Sequence, residues 1–128
     1  MKLIHRDPPR EFEVGLDKKT IIKDCGSLFL NHDEQLTLKT ETGSEYDVTR
    51  KPWGFYATPS TNGRLAAFGL RAILVKNRVQ RYFVLLVEKG FEREFKEYLK
   101  QECLDVVLFL DDPTQLEQIS GSKLMPDL

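Results

Sequence analysis

The chain has 128 residues, of which 41% are apolar and 30% are charged, and its formal net charge is −1. These values are typical of one globular domain and exclude wholesale disorder. No apolar run approaches the roughly 20 residues that cross a bilayer, and the N-terminal residues lack the apolar stretch of a secretory signal. We therefore expect a soluble, cytoplasmic protein with no membrane partner.

The first half of the chain is predicted to form short antiparallel strands. Pro8 and Pro9 indicate an N-terminal arm over residues 1–10. Two alternating runs separated by Thr42–Ser44 predict a hairpin, with Leu36 and Leu38 on the same face as Tyr46 and Val48. The predicted strands span residues 11–16, 20–23, 27–30, 35–41, 45–49 and 53–58.

The second half mixes helices and strands. A short helix is predicted over residues 64–68, with a hairpin turn at Asn62-Gly63 as the alternative. A hairpin of apolar strands over 70–75 and 82–87 follows. From Gly90 onward an apolar stripe recurs at helical spacing, formed by Phe91, Phe95, Tyr98 and Leu99. A strand over 106–110 and a short final helix after Asp112 complete the pattern.

These elements predict an α+β fold in which mainly antiparallel short strands precede a ββαβ unit. One long amphipathic helix is expected to pack on a sheet. The predicted organisation is an arm (1–10), a single globular α+β domain (11–119) and a flexible tail (120–128).

Charge is unevenly distributed along the chain. Residues 1–47 have net charge −3 and residues 88–128 have net charge −5, whereas residues 48–87 carry seven cations and no acid. The basic block either forms a surface patch that attracts anions or pairs with the acidic blocks on both sides. Its cations are Arg50, Lys51, Arg64, Arg71, Lys76, Arg78 and Arg81.

Residues 46–64 are the predicted ligand-binding segment, because they combine cations, aromatic rings, hydroxyl groups and glycine. Aromatic rings stack on sugars or bases, arginine binds phosphate or carboxylate, and a helix start offers N–H groups to an anion. Alternatively, the aromatic residues form part of the core and Ser60 caps a helix. The candidate binding residues are Arg50, Lys51, Trp53, Tyr56, Ser60, Asn62 and Arg64.

Other chemistry has little support in the sequence. The two cysteines and two histidines show no metal-ligand spacing, and no nucleotide-binding motif is present, so we predict neither a metal nor a cofactor. Asp47 and Tyr56 are the candidates for acid/base roles if the protein is an enzyme, although Asp47 also fits an ion pair near Arg50. We do not expect nucleic-acid binding, because the pI is about 6.1 and the RNP1 pattern is missing.

The runs KDCG (23–26), YDVTRKPWGFYATPS (46–60), NGRL (62–65) and AILVKN (72–77) resemble a group of small bacterial proteins. That group is associated with surface-polysaccharide and methyltransferase gene neighbourhoods, and it has no assigned activity. The resemblance extends from residue 11 to about residue 112. It implies a role in polysaccharide metabolism and identifies no catalytic residue.

The functional prediction is therefore binding of an anionic sugar derivative or nucleotide-sugar. A sugar-modifying enzyme is one alternative. The other is an interaction module, in which the basic block 48–87 docks an acidic protein or the chain forms a homodimer.

Overall fold

The computed structural model describes residues 1–57 and 59–121. In these ranges the strands are β1 (Lys2–Val14), β2 (Thr20–Phe29), β3 (Gln35–Lys39), β4 (Glu45–Lys51), β5 (Gly54–Tyr56), β6 (Leu70–Lys76), β7 (Tyr82–Glu88) and β8 (Asp105–Phe109). The helices are α1 (Arg64–Ala67), α2 (Glu92–Gln101) and α3 (Pro113–Ser120).

The strands form three small sheets. These are the β1–β2 hairpin, a β3–β4–β5 sheet and a β7–β6–β8 sheet, all with antiparallel pairing. Strands account for 48% of the described residues and helices for 18%. The predicted fold, with one long helix on a sheet, is therefore wrong. The helical residues are divided among three short helices, and the chain is mostly sheet.

Residues 2–10 of the predicted N-terminal arm (1–10) lie within β1. The pairing of His5 with Gly26 is followed by that of Arg10 with Asp24, so residues 6–9 bulge out opposite the single residue Cys25. Pro8 and Pro9 lie in this bulge, where no ladder hydrogen bond is required of them. Two prolines therefore interrupt the pairing of the strand without ending it. Residues 122–128 of the predicted tail lie outside the described residues.

The predicted hairpin before residue 50 is present in the β3–β4–β5 sheet. Leu36 pairs with Val48 and Leu38 pairs with Tyr46, as the alternation indicated. The short strand β5 pairs only with residues 49–51 of β4, so the first half of β4 is free of strand pairing on that side.

The short helix α1 lies beside this free part of β4. The amide of Glu45 donates to the carbonyl of Phe68, just after α1, over 3.3 Å. Leu65 of α1 is fully buried, and it forms a cluster with Leu70 and Ala72 of β6, against which Tyr46 of β4 packs. Leu65 thus joins the β3–β4–β5 sheet to the β7–β6–β8 sheet.

A second cluster lies on the other face of the β7–β6–β8 sheet. Ile73, Val75 and Val87 are buried there, and Phe95 and Leu99 of α2 pack against them. The helix is only ten residues long and contributes no buried residue. Of the other stripe positions, Tyr98 is 46% exposed, and Phe91, at the N-cap of the helix, is 42% exposed. In the described residues, no helix has both the length and the apolar character needed to cross a membrane.

We expect Leu65→Ala to lower the free energy of unfolding by about 2–4 kcal/mol, because it opens a cavity where two sheets meet. Leu38→Ala is the control, since Leu38 is 50% exposed, and it should cost less than about 1 kcal/mol. Urea unfolding followed by circular dichroism measures both. Equal losses in the two variants would contradict this assignment of the core.

Acid should loosen the contact between the β3–β4 turn and β7. Hydrogen bonds from the hydroxyls of Thr42 and Thr40 to the Glu88 carboxylate hold the pKa of Glu88 below its ordinary value. The stabilisation is therefore present above that ordinary value, about 4.3, and is lost as the pH falls through the lower folded-state pKa.

Glu88→Gln should remove this part of the acid sensitivity. Urea unfolding of both proteins at about pH 7 and about pH 3 tests it. The difference in stability between wild type and variant should be smaller at the lower pH. A difference that does not change with pH would show that the Glu88 carboxylate does not carry the effect.

Candidate functional site

The β3–β4–β5 sheet has one polar face. Successive side chains of a strand point to opposite faces, and directly paired residues share a face. The observed pairs Thr37–Asp47 and Thr49–Tyr56 therefore lie on the same side, together with Lys51. We call this set, with Gln35 opposite Thr49, the polar face. The other side of the sheet carries Leu36, Leu38, Tyr46, Val48, Arg50 and Phe55.

Asp47 lies at the centre of the polar face. The residue is only 8% exposed. Its Oδ1 accepts a hydrogen bond from the Thr37 hydroxyl at 2.7 Å, and its Oδ2 lies 3.1 Å from the Arg64 guanidinium. A buried carboxylate requires such partners, because desolvation of an unpaired charge is costly. The two donors fix the orientation of the carboxylate.

The loop before α1 positions Arg64. The Arg64 amide donates to the Ser60 hydroxyl at 2.9 Å, and the Ser60 carbonyl accepts from the amides of Gly63 and Leu65. The Arg64 side chain then reaches Asp47 and lies 5.0 Å from the centre of the Phe68 ring. It remains 55% exposed, so one side of the guanidinium is open to a ligand.

Three of the seven predicted binding residues are located at the polar face, and Ser60 positions one of them, Arg64, through its hydrogen bond to the Arg64 amide. Tyr56 and Lys51 lie on it by register, and Arg64 reaches it through Asp47. Asn62 is exposed in the turn before α1.

Arg50 lies on the opposite face. Its guanidinium donates to the carbonyls of Lys51 and Gly54 and lies 5.5 Å from the centre of the Phe55 ring. Arg50 therefore braces the β4–β5 turn and is separated from Arg64 by the sheet.

The aromatic residues of the segment are exposed. Trp53 is 71% exposed, Phe55 57% and Tyr56 51%. The alternative that these rings form the core is wrong. Large exposed rings close to one another are typical of a binding surface. Trp53 lies in the turn between β4 and β5. Of the three aromatic residues, only Tyr56 lies on the polar face according to the strand pairing.

Several cations of the basic block pair with the acidic blocks. Lys51 contacts Asp33, Arg64 contacts Asp47, and Arg71 forms a two-point pair with Asp111 at 2.8 and 3.2 Å. The hydrogen bond and charge of Lys51 lower the pKa of Asp33, and Asp111 raises the pKa of Arg71. The pairing interpretation therefore holds for these three cations. Lys76, Arg78 and Arg81 lie in or beside the β6–β7 turn.

Thr37 and Thr49 were missed as candidates, although the sequence contained the signal. Leu36, Leu38, Tyr46 and Val48 were predicted to share one face, so the residues between them must share the other. Position 37 opposite position 47 follows from that alternation. The Arg64–Asp47 pair had no such signal, because the two residues belong to separate elements.

Two cavities lie elsewhere in the described part of the chain. One of about 300 Å³ is lined by Leu16, Phe83, Leu85, Tyr98 and Leu104, among others. A second of about 460 Å³ separates the end of the β1–β2 hairpin from α2. Neither includes a predicted binding residue. Within residues 1–57 and 59–121, no group of three or more potential metal ligands converges.

Comparison with protein-family models, with curated proteins and with solved structures finds no match for this chain.

A double-mutant cycle tests the Asp47–Arg64 pair. Asp47→Ala should lower the free energy of unfolding by about 2 kcal/mol, because Thr37 and Arg64 both lose their acceptor. Combining it with Arg64→Ala should give a coupling energy of about 1 kcal/mol, since Arg64 is partly exposed.

The control cycle uses Lys39 and Glu45, which pair at 3.0 Å on the same sheet with Lys39 62% exposed. Its coupling energy should not exceed about 0.5 kcal/mol. Equal coupling in the two cycles would contradict a special role for the Asp47 pair.

Proposed function

We propose that this chain binds an anionic sugar derivative on the polar face of the β3–β4–β5 sheet. The observation that carries the proposal is the buried Asp47 carboxylate, oriented by Thr37 and Arg64 among exposed polar groups. A sheet face that only contacted solvent would not require a fixed, buried carboxylate.

Each group on this face fits one part of such a ligand. The remaining lone pairs of Asp47 accept hydrogen bonds from sugar hydroxyls. The guanidinium of Arg64 stays 55% exposed beside Asp47 and attracts a phosphate or carboxylate, whereas the ammonium of Lys51 is already paired with Asp33. The Tyr56 ring, half exposed at the edge of the face, offers a surface on which a sugar ring stacks. Binding is therefore expected to be modest and open to solvent.

The resemblance to small bacterial proteins from surface-polysaccharide gene neighbourhoods supports a ligand that belongs to polysaccharide metabolism. In a bacterial polysaccharide pathway, a sugar phosphate or a nucleotide-sugar carries both the hydroxyl groups and the negative charge. Such precursors are used in the cytoplasm, which is where we place the protein.

The alternatives draw less support from the geometry. Docking of an acidic protein on the basic block is weakened by the internal pairing of Lys51, Arg64 and Arg71. In the enzyme alternative, Asp47 and Tyr56 perform acid/base chemistry. Both do lie on the polar face, so the binding experiment includes an assay for turnover.

The experiment is an amide-shift NMR titration with a panel of sugar phosphates and nucleotide-sugars. Tyr56→Ala is compared with Phe55→Ala, because the two residues are adjacent, similarly exposed and on opposite faces. Tyr56→Ala should raise the dissociation constant by about tenfold, and Phe55→Ala should leave it within about twofold. Asp47→Asn, which keeps the shape of the side chain, should weaken binding by at least about tenfold.

Two results would overturn the proposal. One is the absence of saturable shifts in β3, β4 and α1 with every member of the panel. The other is a larger loss of binding in Phe55→Ala than in Tyr56→Ala. Chemical conversion of a ligand that stops in Asp47→Asn would instead favour the enzyme.

A further inference from the structure

The β1–β2 hairpin, residues 2–29, exposes many large apolar side chains to solvent. None of residues 1–30 is buried. Ten large apolar residues in this part are at least 40% exposed: Met1, Leu3, Ile4, Phe12, Val14, Leu16, Ile21, Ile22, Leu28 and Phe29. A monomeric protein rarely exposes so large an apolar surface.

These residues occupy both faces of the hairpin. The cross-strand pairs Leu3–Leu28 and Phe12–Ile22 have even-numbered partners in β2 and share one face by alternation. Ile21 and Phe29 of β2 lie on the other face. That second face also carries Glu11, Glu13 and Lys23, so the face of Leu3, Phe12, Ile22 and Leu28 is the more apolar of the two.

Few contacts hold the hairpin to the rest of the chain. At one end the N-terminal ammonium lies 3.0 Å from Glu34. At the other, the Leu16 amide donates to the Glu102 carboxylate at 3.1 Å. A two-stranded hairpin is at best marginally stable by itself in water. Its 13- and 10-residue strands need a covering surface.

The total surface area indicates how large that covering surface is. The accessible area is 9878 Å², whereas a compact monomer of 14.8 kDa exposes about 7,000 Å². The difference is about 2,900 Å². Obligate dimers bury roughly 1,000–2,500 Å² per subunit. The excess is therefore large enough to include one such interface.

The charges of the hairpin favour a second copy over a charged partner. Residues 1–30 carry six Lys or Arg and five Asp or Glu. Arg6 and Arg10 both pair with Asp24 inside the hairpin, at 2.8 and 2.9 Å. A surface with nearly balanced charge meets a second copy of itself without net repulsion, as a twofold interface requires.

We infer that the β1–β2 hairpin is a dimerisation arm, and that the arm of each subunit is buried against the arm of a second copy of this chain. This inference is independent of the ligand proposed for the polar face. It places the Leu3–Leu28 pair in the interface, remote from the cavity that the hairpin end forms with α2.

Sedimentation velocity over a range of concentrations tests the inference. The wild type should sediment as a species of twice the subunit mass, with a dissociation constant that changes little with salt because the contact is apolar. Leu3→Asp should raise that constant at least about 100-fold, since a charge would be buried in the interface. Val79→Asp is the matched control, because Val79 is 72% exposed in the β6–β7 turn, and it should remain dimeric.

Hydrogen exchange of the wild type gives a second readout that needs no variant. Amides of β1 and β2 should lose protection on dilution, while those of β6 keep theirs. A wild type that stays monomeric at every concentration overturns the inference and leaves the arm to a different protein. It is also overturned if Val79→Asp, and not Leu3→Asp, dissociates the dimer, or if dissociation rises steeply with salt.

Discussion

Burial of one leucine is the constraint on which the rest of this structure depends. Leu65 belongs to a helix of four residues, yet it is fully buried between strands of two sheets. The same helix carries Arg64, whose side chain reaches the carboxylate of Asp47. The packing of Leu65 therefore positions Arg64 for its ion pair with Asp47. A helix this short is not stable by itself, so packing holds both the core and the candidate site in place.

The local pairing of strands could be predicted, whereas their assembly into sheets could not. Alternation and the turn residues indicated the pairing of β3 with β4 and of β6 with β7, and both pairs are present. The expectation of one long helix on a sheet failed, because the helical residues are divided among three short helices. The Glu45–Phe68 hydrogen bond joins two elements that are far apart in the sequence. No residue pattern in either segment predicts that the two segments are in contact.

The residue types of the candidate site were likewise easier to predict from the sequence than its geometry. The residue types of segment 46–64 drew attention to Tyr56 and Arg64. They did not separate Arg50 from Arg64, because that separation depends on the strand register. Nor did they identify Asp47 as the partner of Arg64, since Arg50 is closer in sequence. The cations of the basic block were expected either to attract ligands or to pair internally. Distances within the fold show that Lys51, Arg64 and Arg71 pair internally.

The length of the β4–β5 turn has a consequence for sequence variation. Lys51 pairs with Gly54, so only Pro52 and Trp53 form the turn. An insertion or deletion that shifted β5 by one residue would exchange the faces of Phe55 and Tyr56, because the side-chain period of a strand is two. The polar face would then gain a phenyl ring and lose its phenol. Among chains of this fold, turn length should therefore distinguish those that retain the candidate site from those that retain only the scaffold.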